Sequence, residues 1–378
     1  MQNNFIIIPP LHDTSNFALE TAIVLAKKNL VVLYEHTLPV SLFSLNRKDK
    51  LFQNIKKNLY LFRSVHFLPL ERFSVIYNLN RALSLLALVF WGKVIQRKRR
   101  TIFWLLHPSF VWMLHLREIF LLFNTKFLYD CVDFFSVDYQ KTLSRKNILA
   151  SKNEATVVKK SDLVTANSYT LLRYCKTLRK DVQLVPQGFR LQSFASSKQN
   201  DTIVFSRNKP IIGYVGGINR RLDISLLSKL VRNNKQWDFV LWGPIQHPIP
   251  RLLQQLLTLK NVVTGESKKT EIRNIIQQFD IAIIPYTQNI FNSHSFPVKL
   301  FEYFYCGKPV VSSPIKELDY YSKYVSIAKT ALEWQTTLDT LTKHSWSKSF
   351  ALEQRKIAVS HSWENKIAVT EKALENVS

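Results

Sequence analysis

Lys299 and Glu302 lie three residues apart in a segment whose pattern predicts a strand, a turn and a short helix. The strand covers residues 279–286, and the turn at Ser295 and Pro297 predicts the helix start. Open α/β sheets bind ligands beyond the carboxyl ends of their strands, and the first turn of a helix can hold phosphate through free N–H groups. Lys299 adds a cation there, and the Glu302 carboxylate could accept both hydroxyls of a ribose. The segment therefore predicts a nucleotide site, although a surface helix with an ordinary Lys/Glu pair would fit the same residues.

A glycine pair followed by arginines forms a second candidate anion site. Residues 210–215 predict a strand, and Gly216 and Gly217 directly after it would let the backbone approach a diphosphate closely. Arg221, or its neighbour Arg220, could then pair with the phosphate oxygens. A plain turn with a solvated basic rim has the same composition, so this feature alone does not define a site.

Acidic and imidazole groups follow strand-like runs in the first half of the chain. Asp130 and Asp133 lie at the end of one run, where a carboxylate could hold substrate hydroxyls or act as a general base. His107 follows the run 102–106, and a His-Asp pair at 12–13 follows the first strand. Each of these residues could instead be structural, as a helix cap, a turn residue or a satisfied histidine. We take His107 and Asp133 as the candidate catalytic residues.

The chain is strongly basic. Its 378 residues include 52 Lys and Arg against 27 Asp and Glu, a net charge of +25. Such an excess predicts an anionic ligand or surface. Nucleic acid is the less favoured partner, because no recognised binding module accompanies the charge. The three scattered cysteines, Cys131, Cys175 and Cys306, exclude a disulfide scaffold and a zinc ribbon.

Strand-like and helix-like runs alternate along the chain, which is the pattern of parallel sheets covered by helices. We predict an α/β protein with two Rossmann-like domains, residues 1–193 and 194–348, joined by a polar linker at 190–209. Residues 349–378 predict a terminal helix. The N-terminal residues lack the basic start and cleavage site of a signal peptide, and they predict a buried strand instead.

An apolar stretch beside a basic run predicts contact with a membrane. Residues 82–91 are apolar apart from one serine, and five of the eight residues 93–100 are Lys or Arg. This combination is typical of a helix on an anionic membrane surface, but a core helix with a basic carboxyl end would look alike. We predict that both interpretations apply, so that the helix within Ala82–Arg100 packs on a sheet and its basic end touches lipid. No transmembrane helix is expected, because the longest uncharged stretch, 101–116, is shorter than the roughly 20 apolar residues that span a bilayer.

The segment from Pro297 to Val311 resembles the donor-binding signature of GT-B-fold glycosyltransferases of family 4, especially the teichuronic-acid-type enzymes. The residues that match this signature are Pro297, Lys299, Glu302, Tyr303, Gly307, Pro309, Val310 and Val311. The resemblance implies that Glu302 binds the ribose and Lys299 the diphosphate of a nucleotide sugar. The family often has a further Glu eight residues before this one, whereas this chain has His294 there. We include His294 and Ser295 among the candidate donor-binding residues.

Further stretches are similar to the same family. Residues 212–223 resemble the first strand and loop of the donor domain, which implies that the glycine pair and the arginine described above face the diphosphate. Residues 239–244 resemble the strand whose following loop, here at Gly243, flanks the nucleobase. Residues 185–190 resemble the end of the N-terminal domain, and 362–364 resemble the helix that crosses back to it.

The resemblance implies the GT-B architecture, two Rossmann-like domains facing across a cleft, and transfer of a sugar from a nucleotide sugar to a polysaccharide or lipid-linked acceptor. It also implies retention of the anomeric configuration. The chain contains no Asp-x-Asp pair of the kind that metal-dependent transferases use, so we expect no metal and no cofactor. We expect a role in cell-surface glycan synthesis, with peripheral attachment to the cytoplasmic face of the plasma membrane. Two alternatives stay open, a non-catalytic nucleotide-binding partner of another glycosyltransferase and a GT-B epimerase or phosphorylase.

Overall fold

The computed structural model describes residues 3–9, 17–41, 51–68, 73–95, 99–135, 145–195, 205, 208–267 and 271–377. The chain forms two compact units. The first comprises Met1–Pro186 with Lys366–Ser378, and the second comprises Gln187–Asn365. Each unit is built on a largely parallel sheet with helices on its faces, which confirms the predicted α/β class.

One eight-stranded sheet forms the centre of the first unit. Its strands are β1 (Asn4–Ile8), β2 (Leu30–Ser41), β3 (Phe52–Lys56), β4 (Leu59–His66), β5 (Thr101–Leu105), β6 (Thr125–Cys131), β7 (Leu163–Ala166) and β8 (Gln183–Leu184). They lie in the order β3-β4-β2-β1-β5-β6-β7-β8, and only β3 and β4 pair in antiparallel fashion. The sequence did not predict β3, because this edge strand is exposed over most of its length and lacks a hydrophobic alternation.

Helices cover both faces of this sheet and bury the apolar strands between them. The helices are α1 (Phe17–Leu25), α2 (Ser74–Ile95), α3 (Val111–His115), α4 (Arg117–Leu121), α5 (Arg145–Lys160) and α6 (Tyr169–Leu178). On one face, the ring of Phe103 lies 5.1 Å from that of Phe120 and 5.2 Å from that of Phe127. On the other face, Phe5 and Trp104 pack with residues of α1.

The long helix α2 is bonded to the sheet by polar side chains. Ser84 Oγ accepts a hydrogen bond from Val65 N at 2.7 Å, and Asn80 Oδ1 accepts one from Phe67 N at 3.0 Å. The 18-residue window Val75–Gly92 is long and apolar enough to cross a membrane, a feature that the sequence prediction overlooked, but 44% of it is buried within the unit. Helix α2 thus packs one face against the sheet of the first unit. Residues 96–98 of the predicted basic end lie outside the described residues.

The second unit has a smaller sheet in which all strand neighbours are parallel. Its strands are β9 (Ile211–Val215), β10 (Asp238–Trp242), β11 (Val262–Gly265), β12 (Ile281–Ile284), β13 (Val310–Ser312) and β14 (Val325–Ile327). Its helices are α7 (Leu191–Ala195), α8 (Ile224–Asn233), α9 (Arg251–Leu257), α10 (Ile272–Gln277), α11 (Ile290–His294), α12 (Lys299–Tyr305), α13 (Ala331–Lys343) and α14 (Lys348–Ser360). The strand order is β11-β10-β9-β12-β13-β14. The chain adds strands on one side from β9 to β11 and on the other side from β12 to β14, so this sequence of addition reverses between the parallel neighbours β9 and β12. That reversal is the topological switch point at which ligands of such sheets bind.

The boundary between the units lies after Pro186, seven residues before the predicted boundary at 193. The reason is aromatic packing. Phe189 and Phe194 both belong to the core of the second unit, where their rings lie 5.8 and 5.5 Å from that of Tyr305. The first part of the predicted linker is therefore folded into the second unit.

The predicted terminal helix 349–378 is in fact two helices, α14 and α15 (Trp363–Glu375). The chain between them pairs with the backbone at Phe189, which accepts a hydrogen bond from Trp363 N at 3.1 Å and donates one to His361 O at 2.6 Å. These bonds replace the helical ones, so the helix breaks there. α14 belongs to the second unit, whereas the residues from Lys366 onwards belong to the first.

A buried ion pair fixes α15 in the first unit. Lys366 Nζ lies 3.0 Å from Asp130 Oδ2, and the two side chains are 1% and 0% exposed. Thr165 Oγ1 donates a further hydrogen bond of 2.8 Å to Asp130 Oδ1. Asp130, one of the two acids at the end of β6, is thus occupied by a structural partner.

We expect Lys366→Met to lower the free energy of unfolding by about 3–5 kcal/mol, because it leaves the Asp130 carboxylate buried without its counter-charge. Urea denaturation followed by circular dichroism measures this change. The matched control is Lys372→Met on the exposed side of the same helix, for which we expect a change within about 0.5 kcal/mol. Equal stability of the Lys366 and Lys372 variants would contradict the structural role of the pair.

Candidate functional site

The carboxyl ends of β9 and β12 lie side by side at the switch point of the second sheet. Gly216 follows β9 directly, and Pro285 and Tyr286 follow β12. The two loops that leave these strands are joined by backbone hydrogen bonds, from Asp223 N to Pro285 O and from Thr287 N to Arg221 O, each of 2.8 Å. This pairing brings the arginine of the first loop to the tyrosine of the second.

Four side chains meet there, Tyr214, Arg221, Tyr286 and Lys299, and we call them the Tyr286 cluster. Lys299 Nζ donates a hydrogen bond of 2.5 Å to the Tyr286 hydroxyl, and it lies 4.9 Å from the centre of the Tyr286 ring and 4.8 Å from that of Tyr214. The guanidinium of Arg221 lies 5.0 Å from the Tyr286 ring centre. Two positive charges are therefore held against one buried aromatic ring.

Arg221 is fixed in place from several sides. Its Nε donates a hydrogen bond of 3.1 Å to Asn292 Oδ1, and its guanidinium lies 5.1 Å from the Phe291 ring centre. Asn292 is itself buried and donates hydrogen bonds of 2.9 and 2.8 Å to Thr287 O and Oγ1. Arg221 Nη2 is buried and has no hydrogen-bond partner among the described residues. A guanidinium held in this way presents donors for an anionic ligand.

Two glycines allow close packing beside the cluster. Gly216 has a φ of +137°, and a Cβ there would lie 3.0 Å from Lys299 Cε. Gly243 has a φ of +138°, and a Cβ there would lie 2.4 Å from Gly216 O. Both positions favour glycine by conformation and by space, so the backbones of the loops after β9 and β10 approach each other closely. Gly217 has an ordinary φ, and a Cβ there would lie 3.2 Å from Asn219 Nδ2.

The two cations change the acidity of Tyr286. Burial by itself raises the pKa of this phenol, but the charges of Lys299 and Arg221 and the hydrogen bond from Lys299 outweigh burial and lower it. The neighbouring Tyr214 has the opposite shift, because burial and the proximity of Tyr286 raise its pKa well above the ordinary value. Of the two phenols, Tyr286 is the one that ionises first as the pH rises.

The structure brings several of the predicted donor-side residues together. Gly216, Gly243, Arg221 and Lys299 surround one region at the strand ends, and Arg220, the alternative to Arg221, is exposed. Their predicted role in binding a donor stays a prediction.

The other predicted donor-side residues are less directly tied to the cluster. Glu302 is half-buried on α12, and its charge adds to the burial that raises the pKa of Tyr303. Ser295 is buried and ends α11, where its N–H donates to Phe291 O at 3.1 Å. His294 is the last residue of α11, and its side chain lies outside the described residues. α12 begins only at Lys299, later than the predicted start near Ser295, and is seven residues long.

The sequence analysis missed the residues that hold the cations. Tyr286 and Tyr214 supply the rings, and Asn292 supplies the hydrogen bond to Arg221. A signal was present for Tyr286, which directly follows a buried strand and a proline. Asn292 carries no such signal, because its importance depends on an arginine 71 positions away in the sequence.

In the first unit, His107 and Asp133 follow the adjacent strands β5 and β6. His107 Nδ1 accepts a hydrogen bond of 3.1 Å from Ser109 N, and burial lowers its pKa to about 4. The imidazole is therefore neutral at physiological pH. Asp133 Oδ1 accepts a hydrogen bond of 3.0 Å from Phe134 N, as in a turn. The pair at 12–13 lies outside the described residues.

Comparison with known proteins gives the class to which this architecture corresponds. The sucrose-phosphate synthase of Thermosynechococcus elongatus is similar in structure, with a TM-score of 0.73 and 14% identity over 99% of this chain and 98% of that one. The HepE protein of Anabaena, solved in complex with UDP and glucose, has a TM-score of 0.65 and 14% identity over 99% of each chain. These likenesses show that the chain has the GT-B fold, as predicted.

Sequence similarity points to a particular family. Residues 209–325, which include the Tyr286 cluster, match the family described as Glycosyl transferases group 1. A Bacillus subtilis protein named as a teichuronic acid biosynthesis glycosyltransferase is 30% identical over 200 residues, or 49% of this chain and 50% of that protein. The chain thus spans about half the length of the curated relative that it matches. The predicted resemblance to group 1 glycosyltransferases of the teichuronic-acid type is confirmed.

Proposed function

We propose that this chain is a glycosyltransferase that moves a sugar from a nucleotide sugar to a glycan or lipid-linked acceptor. The observation that carries the proposal is the Tyr286 cluster, in which Lys299 and Arg221 are held at the switch point of a sheet that matches the group 1 glycosyltransferases. The UDP bound in the Anabaena structural neighbour supports a nucleotide as the ligand.

In this proposal the two cations bind the diphosphate of the donor. Arg221 offers hydrogen-bond donors in a planar fork, and Lys299 offers a point charge, so together they neutralise the negative charge that grows on the leaving diphosphate. The missing Cβ atoms at Gly216 and Gly243 let the backbones of these loops pack closely beside Lys299, which is proposed to bring backbone N–H groups near the diphosphate. Because protein cations can supply this neutralisation, we propose that transfer does not depend on a metal ion. Glu302 is proposed to bind the ribose.

The first unit is proposed to bind the acceptor. His107 is neutral at physiological pH, because burial lowers its pKa to about 4, so it can exchange hydrogen bonds with acceptor hydroxyls. Asp133 is proposed to hold a hydroxyl or accept its proton. We propose transfer with retention of the anomeric configuration, for which no dedicated nucleophile is needed and the leaving diphosphate can help to deprotonate the acceptor.

The acceptor is proposed to belong to a cell-surface glycan. The Bacillus subtilis relative is named for teichuronic acid biosynthesis, and the net charge of +25 favours an acidic acceptor or an anionic surface. We propose that the enzyme works at the cytoplasmic face of the plasma membrane as a peripheral protein.

The outer face of α2 supports this attachment to a membrane. Val75, Leu79 and Phe90 are 75%, 44% and 61% exposed, and Ala87 is exposed between them. These residues follow one another at helical spacing, with the half-buried Leu83 among them. An apolar stripe followed by a basic run is the pattern of a helix that enters the interface of an anionic bilayer.

The donor site is tested by a thermal-shift screen against UDP, GDP, ADP, CMP and dTDP, with and without EDTA. We expect one nucleoside diphosphate to raise the melting temperature through mass action, and EDTA to leave the shift unchanged. Lys299→Met and Arg221→Met should each weaken the binding of that nucleotide by about tenfold or more, because a charge-assisted hydrogen bond contributes about 1.5–3 kcal/mol.

The matched controls for these variants are Lys229→Met and Arg220→Met, which remove exposed charges from the same unit. We expect both controls to bind the nucleotide as the unmodified protein does. A nucleotide affinity that is unchanged in the Lys299 and Arg221 variants would place the donor site elsewhere. Loss of the shift in EDTA would contradict metal independence, and no shift with any nucleotide would contradict the proposed donor site.

Retention is tested on the product. Once the donor and an acceptor are identified, proton NMR of the new glycosidic bond gives its anomeric configuration. We expect the configuration of the donor sugar to be kept. An inverted product would refute the proposed retaining mechanism while leaving the donor site intact.

Membrane attachment is tested by co-sedimentation with vesicles of anionic or zwitterionic lipid. We expect binding to anionic vesicles that weakens with salt, and we expect Val75→Asp and Phe90→Asp each to reduce it about fivefold or more, since an apolar side chain gains about 1.5–3 kcal/mol on full burial. Leu352→Asp is the control, because Leu352 is 62% exposed on α14 of the second unit. Equal vesicle binding by all three variants would show that the α2 stripe does not contact lipid.

A further inference from the structure

Tyr286 contacts both cations of its cluster. Its hydroxyl accepts the hydrogen bond of Lys299, and its ring lies about equally far from Lys299 Nζ, at 4.9 Å, and from the Arg221 guanidinium, at 5.0 Å. The side chain is 4% exposed. Both cations therefore share one buried group, in addition to the contacts of Arg221 with Asn292 and of Lys299 with the Tyr214 ring.

The cations are held without a counter-charge. Within the described part of the chain, neither Lys299 nor Arg221 forms an ion pair with a carboxylate. An acidic partner would fix them equally well but would neutralise the charge that an anionic ligand needs. An aromatic face and a neutral hydroxyl attract cations through the ring quadrupole and a lone pair, and they leave the full positive charge available.

We propose that Tyr286 is the positioning residue of the donor site, which holds Lys299 and Arg221 and leaves both positive charges available to the diphosphate only while its hydroxyl is neutral, so that nucleotide binding is coupled to pH. This inference rests on the proposed function, because it assigns the diphosphate as the ligand of the cluster. Tyr286 acts through the two cations.

The direction of the coupling follows from the charges around the hydroxyl. The titratable groups that face Tyr286 are Lys299 from α12, Arg221 from the loop after β9, Tyr214 from β9 and Tyr303 from α12. Burial opposes ionisation of Tyr286, but the two cations lower its pKa below the ordinary value, whereas burial raises those of Tyr214 and Tyr303. As the pH rises, Tyr286 becomes a phenolate that cancels one positive charge. A bound diphosphate opposes that ionisation, because it adds negative charge near the hydroxyl. At alkaline pH we therefore expect nucleotide binding to be accompanied by uptake of a proton, and we expect the affinity for the nucleotide to fall as the pH rises.

The test compares Tyr286→Phe and Tyr286→Leu with the unmodified protein. Phenylalanine keeps the ring but loses the hydroxyl, and leucine loses both. The matched control is Tyr324→Phe, which removes a hydroxyl that also pairs with charged groups, Glu353 and Lys323, just before β14 in the same unit. Calorimetry with the nucleotide panel named above, and with inorganic pyrophosphate as a probe independent of the base, gives the dissociation constant from about pH 7 to about pH 10.

We expect the unmodified protein and Tyr324→Phe to lose affinity as the pH rises and to take up a proton on binding. Tyr286→Phe should bind about fivefold more weakly near neutral pH, through the lost hydrogen bond to a charged group, and it should lack the tyrosine-dependent fall at higher pH. Tyr286→Leu should bind more weakly still, because it also loses the aromatic face. In turnover, we expect the Phe variant to change KM for the donor more than kcat at neutral pH.

A Tyr286→Phe variant with the affinity and the pH profile of the unmodified protein would overturn this inference. If that variant fails to fold, the ultraviolet absorbance of tyrosinate in the unmodified protein decides instead, because it should decrease when nucleotide is added at alkaline pH, and an unchanged absorbance would refute the coupling. Failure of the proposed function gives a different result, in which the unmodified protein binds neither a nucleotide of the panel nor pyrophosphate.

Discussion

Holding two like charges close to one buried aromatic ring is the physical constraint on which the second unit depends. Lys299 and Arg221 are half-buried and repel each other. The fold meets this constraint with a ring that lies near both cations and with a hydrogen bond from each of them. The strand order and the pairing of the two loops bring these groups together at one edge of the sheet.

Strand order and glycine geometry are the means by which this placement is reached. β9 and β12 are far apart in the sequence but neighbours in the sheet, so the loops that follow them leave from the same edge. Gly216 and Gly243 allow the loops after β9 and β10 to approach within a distance that a Cβ would forbid.

One buried cation of the first unit is neutralised instead. Lys366 lies 3.0 Å from Asp130, and the pair serves to attach α15 to the sheet. A neutralised pair has little attraction left for a ligand, whereas Lys299 and Arg221, which form no ion pair with a described residue, retain theirs. Asp133, three residues further on, bonds a backbone N–H in its turn and is half-buried. This contrast separates a structural acid from a candidate functional one at the end of a single strand.

The α/β class, the GT-B resemblance, most interior strands and the role of Lys299 as a candidate cation could be predicted from the sequence. Those features are local, because they consist of runs of β-branched residues or of a signature between Pro297 and Val311. The structure was needed to show that Arg221 and not Arg220 joins the cluster, and that the terminal segment breaks at His361. It also decided that Tyr286 holds both cations. Each of these outcomes depends on contacts between residues distant in the sequence, and local pattern cannot encode which distant groups a fold will bring within hydrogen-bonding distance.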